Sequence, residues 1–128
     1  MEDDSLTSSV LIVDDSALNV SYISNIIEPL GHDIHIAKNG LQALKSLKTL
    51  RPSIIIMDIG MPEMSGFECC QQIKKYKQLA NIPIIFLTGS HDEADKEKAF
   101  SLGAKAYLTK PVRIKTLENE LEKHMPWA

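Results

Sequence analysis

The sequence predicts a doubly wound α/β fold, (βα)5, with a five-stranded parallel sheet in the order 2-1-3-4-5. Three observations predict it. The apolar runs Val10–Val13, Ile54–Met57 and Ile84–Leu87 are continuous rather than alternating, as in strands buried on both faces. Stretches with helical spacing of apolar residues separate them. Polar or turn residues close every run at its carboxyl side. Strands alternating with amphipathic helices place helices on both faces of a parallel sheet. Right-handed crossovers and five strands then favour the 2-1-3-4-5 order.

Each element has its own signal. Val10-Leu11-Ile12-Val13 stops at Asp14-Asp15. Ile23, Ile26, Ile27 and Leu30 fall at i, i+3, i+4 and i+7, one face of a helix that must end near Pro29-Leu30-Gly31. Ile34-His35-Ile36-Ala37 alternates, as a shorter and more exposed strand does. Asn39-Gly40 is a turn before a helix carrying Leu41, Leu44 and Leu47. Ile54–Met57 ends at Asp58, and residues 61–66 form a loop. Phe67, Cys70 and Ile73 mark the next helix. Ile84–Leu87 stops at Thr88-Gly89-Ser90. Ser90 with Glu93 three residues on reads as a capping box, and Gly103 as the C-cap of the helix that follows. Ala106-Tyr107-Leu108 is the last strand. Ile114, Leu117, Leu121 and Met125 trace the last helix.

The length of 128 residues suits one domain. A net charge of −3 provides no general basic surface, which argues against direct nucleic-acid binding, although a local basic patch is compatible with it. The apolar runs fall far short of the roughly 20 residues a membrane helix needs. The opening Met1-Glu2-Asp3-Asp4 is acidic where an export signal is basic, so a cytoplasmic protein without a leader is expected. Cys69 and Cys70 are neighbours, too close for an ordinary disulfide and badly spaced for zinc; they read as one core and one surface helix residue in a reducing compartment. His32, His35, His91 and His124 form no metal-spaced pair and read as surface or loop residues.

In such a sheet a ligand lies beyond the carboxyl ends of the strands, between strands one and three. Asp14 and Asp15 end strand one, Asp58 ends strand three, Thr88 ends strand four, and Lys110 follows strand five. Two unit charges about 5 Å apart repel by on the order of 3 kcal/mol at an effective dielectric near 20. Three carboxylates gathered there therefore call for raised pKa values or for a cation among them. Oxygen donors without His or Cys favour Mg²⁺ or Mn²⁺. Lys110 supplies a compact cation, Thr88 a hydroxyl, and Gly89 leaves the following backbone N–H groups open to an anion. Taken singly, Asp15 reads as readily as a helix N-cap. Asp58 does not, because an unpaired carboxylate at the end of a central strand loses several kcal/mol.

The stretches Leu11-Ile12-Val13-Asp14-Asp15, Met57-Asp58-Ile59-Gly60-Met61-Pro62-Glu63-Met64-Ser65-Gly66, Thr88-Gly89 and Tyr107-Leu108-Thr109-Lys110-Pro111, in this order, resemble the response-regulator receiver domain of two-component phosphorelays. The resemblance runs from about Ser9 to His124. It implies one flavodoxin-like receiver domain over residues 9–124, between a mobile amino-terminal tail (residues 1–8) and a carboxyl-terminal tail (residues 125–128) that includes Trp127. It also implies roles. Asp58 is the phosphoacceptor for a partner phosphohistidine. Asp14, Asp15, Asp58 and the backbone carbonyl of Gly60 bind Mg²⁺, with Asp14 acting largely through a water. Lys110 offsets phosphoryl charge, Thr88 and Tyr107 form the switch, and the Lys110–Pro111 peptide is cis. The implied partners are a histidine kinase or histidine phosphotransfer protein, and a target or output domain that reads the face of the fourth helix, fifth strand and fifth helix. A phosphorylation-dependent homodimer is compatible with this. Such a domain is a signalling phosphoacceptor, promoting its own phosphorylation and dephosphorylation, rather than an enzyme. The competing readings are a degenerate receiver serving as a scaffold, a flavin- or nucleotide-binding module, and a haloacid-dehalogenase-like phosphatase. The last needs a second acid where Gly60 stands, and the binding module needs a phosphate-cradling loop where Asp14-Asp15 stand.

Overall fold

The structure, a computed structural model, describes residues 8–125. Of the expected tails (residues 1–8 and 125–128), residues 1–7 and 126–128, Trp127 included, lie outside the described residues. The Ser8 carbonyl accepts from the Asp33 N–H, and Met125 is buried in the core rather than part of a free tail. The elements are β1 (Ser9–Val13), α1 (Ala17–Ile27) with a 3-10 turn (Glu28–Leu30), β2 (Asp33–Ala37), α2 (Gly40–Ser46), β3 (Ile54–Met57), α3 (Gly66–Lys74), β4 (Ile84–Thr88), α4 (Glu93–Ser101), β5 (Ala106–Thr109) and α5 (Ile114–His124). All strand pairs are parallel, and the order is β2-β1-β3-β4-β5. The expected fold class is the observed one.

The strand residues divide by their period of two. Leu11, Val13, Ile55, Met57, Ile84 and Phe86 pack with α2, α3 and α4 on one face of the sheet. Val10, Ile12, Ile54, Ile56, Ile85 and Leu87 pack with α1 and α5 on the other. Every residue of β3 and β4 is buried, which is why these runs do not alternate. Each fully buried Ile or Leu here contributes about 1.5–3 kcal/mol of apolar burial. β2 is the exposed edge, with Ile36 left 52% accessible.

Gly31, at φ 90°, ends the first helical segment after Pro29, as expected. Gly103 also adopts a positive φ after α4. Several finer expectations are corrected. The helix after Ser90 is capped by Asp92, whose carboxylate accepts from the Ala94 N–H at 3.0 Å. Ser90 instead donates its hydroxyl to Asp95 at 2.7 Å and its carbonyl accepts from Tyr107, so it belongs to the loop. A true capping box forms at Ser65 and Glu68, opening α3. Cys69 and Cys70 are both fully buried, because α3 is covered by α2 on one side and by the end of α4 on the other; their thiols approach the carbonyls of Gly40 and Leu102. The buried face of α2 is Gly40 and Ala43, continued by Leu47, while Leu41 is 48% exposed. Leu30 and Ile114 are likewise exposed at helix ends. His32 is buried rather than superficial, hydrogen-bonded through Nδ1 to the Ser8 hydroxyl, and burial lowers its pKa below 6.5.

Candidate functional site

The two central strands deliver the acids. The Asp14 N–H donates to the Ala37 carbonyl and the Asp58 N–H to the Val13 carbonyl, both at 3.0 Å, so the ladder extends one residue past β1 and β3 and fixes both backbones. Asp14 and Asp58 are buried, at 3% and 8% exposure, while Asp15 is exposed. One carboxylate oxygen from each of the three lies within 4.8 Å of the others. Asp15 does not cap α1. Ser16 does, accepting from the Asn19 N–H at 3.3 Å. The expectation that Asp15 serves as a helix N-cap is therefore corrected.

Lys110 is the cation that the acid cluster called for. Its Nζ donates to Asp14 Oδ2 at 3.0 Å and to Asp58 Oδ2 at 3.2 Å. Burial alone would lower its pKa, but the bonds to Asp14 and the charges of Asp58 and Asp14 outweigh that and raise it above 10.5. The other carboxylate oxygens meet backbone donors: Asp14 Oδ1 accepts from the Ser16 N–H at 2.9 Å, and Asp58 Oδ1 from the Ile59 N–H at 2.8 Å. Three carboxylates around one ammonium leave a formal charge of −2. That charge and an all-oxygen donor set suit one divalent, oxygen-preferring cation.

Lys110 is aimed by its surroundings. Its N–H donates to the Thr88 carbonyl at 2.8 Å, continuing the β4–β5 ladder, and the following peptide to Pro111 is cis. The Tyr22 hydroxyl donates to the Val112 carbonyl at 2.7 Å, tying the loop after Lys110 to α1. Beside it opens an apolar groove of about 530 Å³, lined by Leu18, Asn19, Tyr22, Ile23, Leu87, Lys110, Pro111 and Val112.

Thr88 ends β4 and is buried, and its Oγ1 accepts from the Ser90 N–H at 3.3 Å. Among the described residues no hydrogen bond joins it to the acids. Tyr107 is half-buried and donates its hydroxyl to the Ser90 carbonyl at 3.1 Å, so Thr88 and Tyr107 converge on one loop residue. Gly60 lies two residues past Asp58 with open space where a Cβ would stand. Gly89 is likewise open, and the N-terminus of α4 that follows is capped by Asp92.

Sequence reasoning missed the contribution of Gly66. Its N–H donates to the Ile59 carbonyl at 2.8 Å, and a Cβ on it would stand 2.1 Å from the Asp58 carbonyl oxygen. A glycine at the first position of a helix was the available signal, since glycine marks close backbone approach. Ser90, the common partner of Thr88 and Tyr107, was legible only as a cap.

The family described as "Response regulator receiver domain" matches residues 10–122. A Vibrio cholerae protein named "Probable cyclic di-GMP phosphodiesterase" is 39% identical over 117 residues; these are 91% of this chain but only 26% of that protein. The polar-differentiation response regulator DivK of Brucella anthropi is 36% identical over 109 residues, 85% of this chain and 89% of its own. Among solved structures, the receiver domain of a Pseudomonas aeruginosa sensor histidine kinase superposes with a TM-score of 0.85 at 27% identity, covering 92% of this chain and 97% of that one. That structure holds a magnesium ion coordinated in its active-site cleft. With the acids at the ends of β1 and β3, the lysine after β5 and a match spanning nearly every element, the chain belongs to the response regulator receiver domain family.

Proposed function

We propose that Asp58 is the phosphoacceptor, taking a phosphoryl group from a phosphohistidine on a partner histidine kinase or phosphotransfer protein. The observation that carries this reading is the shared ammonium. Asp58 is buried at the end of the central strand with one oxygen on Lys110 and one on the Ile59 N–H. An Asp58 carboxylate oxygen attacks phosphorus, the P–N bond to the imidazole breaks, and the ring nitrogen keeps the electron pair. Asp14, Asp15, Asp58 and the Gly60 carbonyl would hold Mg²⁺, or Mn²⁺, with Asp14 acting largely through water. A divalent ion there supplies neutralisation of the phosphoryl oxygens. Lys110 adds positive charge on the same side, which is most of what phosphoryl transfer asks of a protein. Hydrolysis by water returns the free carboxylate. The groove between α1 and the loop after β5 borders Lys110, and the 81% exposed Leu18 offers an apolar foothold for the phosphodonor protein.

The acyl phosphate adds negative charge and new acceptor oxygens beside Thr88. Thr88 then donates its hydroxyl to the phosphoryl group, and Tyr107 turns inward as the Ser90 loop follows. α4 is the least buried of the five α-helices: only Ala99 of its nine residues is buried. A segment with so little buried apolar surface shifts at small free-energy difference. The face of α4, β5 and α5 is therefore the surface that a target, an output domain or a second copy reads, and a tenfold change in its affinity needs about 1.4 kcal/mol. The setting is the cytoplasm, where the free thiols of Cys69 and Cys70 persist.

The test is intact-mass spectrometry after incubation with acetyl phosphate, with and without Mg²⁺. The expected result is a Mg²⁺-dependent gain of one phosphoryl group, absent in Asp58→Asn. No gain with any donor points to a scaffold, and multiple turnover of phosphoesters to a phosphatase.

A further inference from the structure

We propose that the groove between the carboxyl ends of α2 and α3 docks an acidic peptide segment of a partner protein, one that sets apolar side chains among Asp and Glu residues. The groove has a volume of about 280 Å³ and lies at the amino ends of β3 and β4, the opposite end of the sheet from Asp58. Leu47 and Leu79 are buried beneath it with Leu44 partly covered, and Tyr76, 50% exposed, lines it. Lys48 and Arg51 stand on its solvent side.

Charge is distributed to match. Residues 34–57 and 69–91 contain no aspartate or glutamate, yet they hold 7 of the chain's 14 lysines and arginines, in a protein whose net charge is −3. Part of this has a structural use. Lys45 and Lys74 lie in the last turns of α2 and α3, where a cation favours the helix dipole. The Lys74 ammonium donates to the Ala80 carbonyl, and the Arg51 guanidinium to the carbonyls of Leu47 and Leu50. Lys48, which lines the groove, and Lys77, between its lining residues Tyr76 and Gln78, have no such use. They are exposed and make no ion pair among the described residues. A one-sign rim recruits an anionic partner and sets its orientation. The aliphatic bed selects a peptide over a nucleic acid, because phosphates need only the cations and leave Leu44, Leu47 and Leu79 without a partner.

The test pans short random peptides displayed on phage against the full chain, then measures synthetic copies of the selected peptides by fluorescence anisotropy. The proposal expects selected peptides to interleave Asp or Glu with apolar residues. It expects them to bind wild type about tenfold or more tightly than Lys48→Glu/Lys77→Glu, as loss of two rim charges implies, and equally to Glu118→Lys on the far side of the sheet. The milder Lys48→Gln/Lys77→Gln pair replaces the double Glu variant if urea unfolding shows that one to be misfolded. The proposal is overturned if no peptide is selected, if selected peptides lack acids, if binding ignores the Lys48 and Lys77 changes, or if oligothymidylate binds there more tightly than any peptide.

Discussion

Replacing Gly66 by alanine places a methyl carbon 2.1 Å from the Asp58 carbonyl oxygen and 3.0 Å from both the Asp58 carbonyl carbon and the Ile59 Cα. All three are backbone atoms, so no side-chain rotation relieves the overlap. An ordinary carbon–oxygen contact exceeds 3 Å, so the loop carrying Asp58 or the first turn of α3 must move by about 1 Å; overpacking of this kind typically destabilises by 1–3 kcal/mol. In an unobstructed helix the same substitution stabilises by about 1 kcal/mol, so the expected sign is reversed. We expect a net loss of about 2 kcal/mol, which for a domain of this size lowers Tm by roughly 6–10 °C. Because the displaced atoms carry the acceptor, the initial rate of modification by acetyl phosphate should fall by up to about a hundredfold, the scale of a 1 Å misplacement. Thermal unfolding by circular dichroism and a mass-resolved time course measure the two effects. A Gly66→Ala protein as stable as wild type and modified at the wild-type rate refutes this account of how Asp58 is placed.

Mg²⁺ should raise Tm, with stabilisation approaching about 2.7 kcal/mol at a hundred times its dissociation constant, and Asp15→Asn should sharply reduce that gain while leaving the metal-free protein folded; thermal unfolding across a Mg²⁺ titration reads both. Burial holds the His32 pKa below 6.5, so the unfolded chain binds the extra proton first, and the His32 contribution is present above pH 6.5 and lost as pH falls below it. Urea unfolding of wild type and His32→Gln at pH 8 and at about pH 5.5 should therefore show their stability difference shifting against wild type at the lower pH. Burial, reinforced by Cys70, pushes the Cys69 thiol up to about 12, and burial raises that of Cys70 as well. Both should resist a disulfide reagent at pH 8 in the native state and react together once the chain is unfolded in denaturant. Rapid reaction of either thiol in the folded protein would contradict the packing of α3.

The fold was legible because its central strands are buried on both faces. Ile54–Met57 and Ile84–Leu87 admit no polar residue until the sheet ends, so the first polar residue past each marks the rim where a ligand belongs. That same boundary made Asp14, Asp58, Thr88 and Lys110 readable as neighbours. What escaped depends on contacts between distant segments. Ser90 and Glu93 have capping-box spacing, but the Tyr107 hydroxyl engages the Ser90 carbonyl and α4 starts later, on Asp92. Cys69 lies off the Phe67–Cys70–Ile73 stripe and is buried only because Gly40 lets α2 approach so closely. His32 is covered by its contact with Ser8, 24 positions away in the chain. Gly66 looked like a turn residue, and its contact with the acceptor backbone exists only once α3 has turned back onto the end of β3.

The most direct test of the central claim is to localise the modified residue. After incubation with acetyl phosphate and Mg²⁺, borohydride reduction converts an aspartyl phosphate to homoserine, which peptide sequencing by mass spectrometry assigns to a position. Homoserine is expected at position 58 alone, and none when Mg²⁺ is withheld. Homoserine at position 14 or 15, or an unreduced Asp58 in a chain that has gained a phosphoryl group, would contradict it.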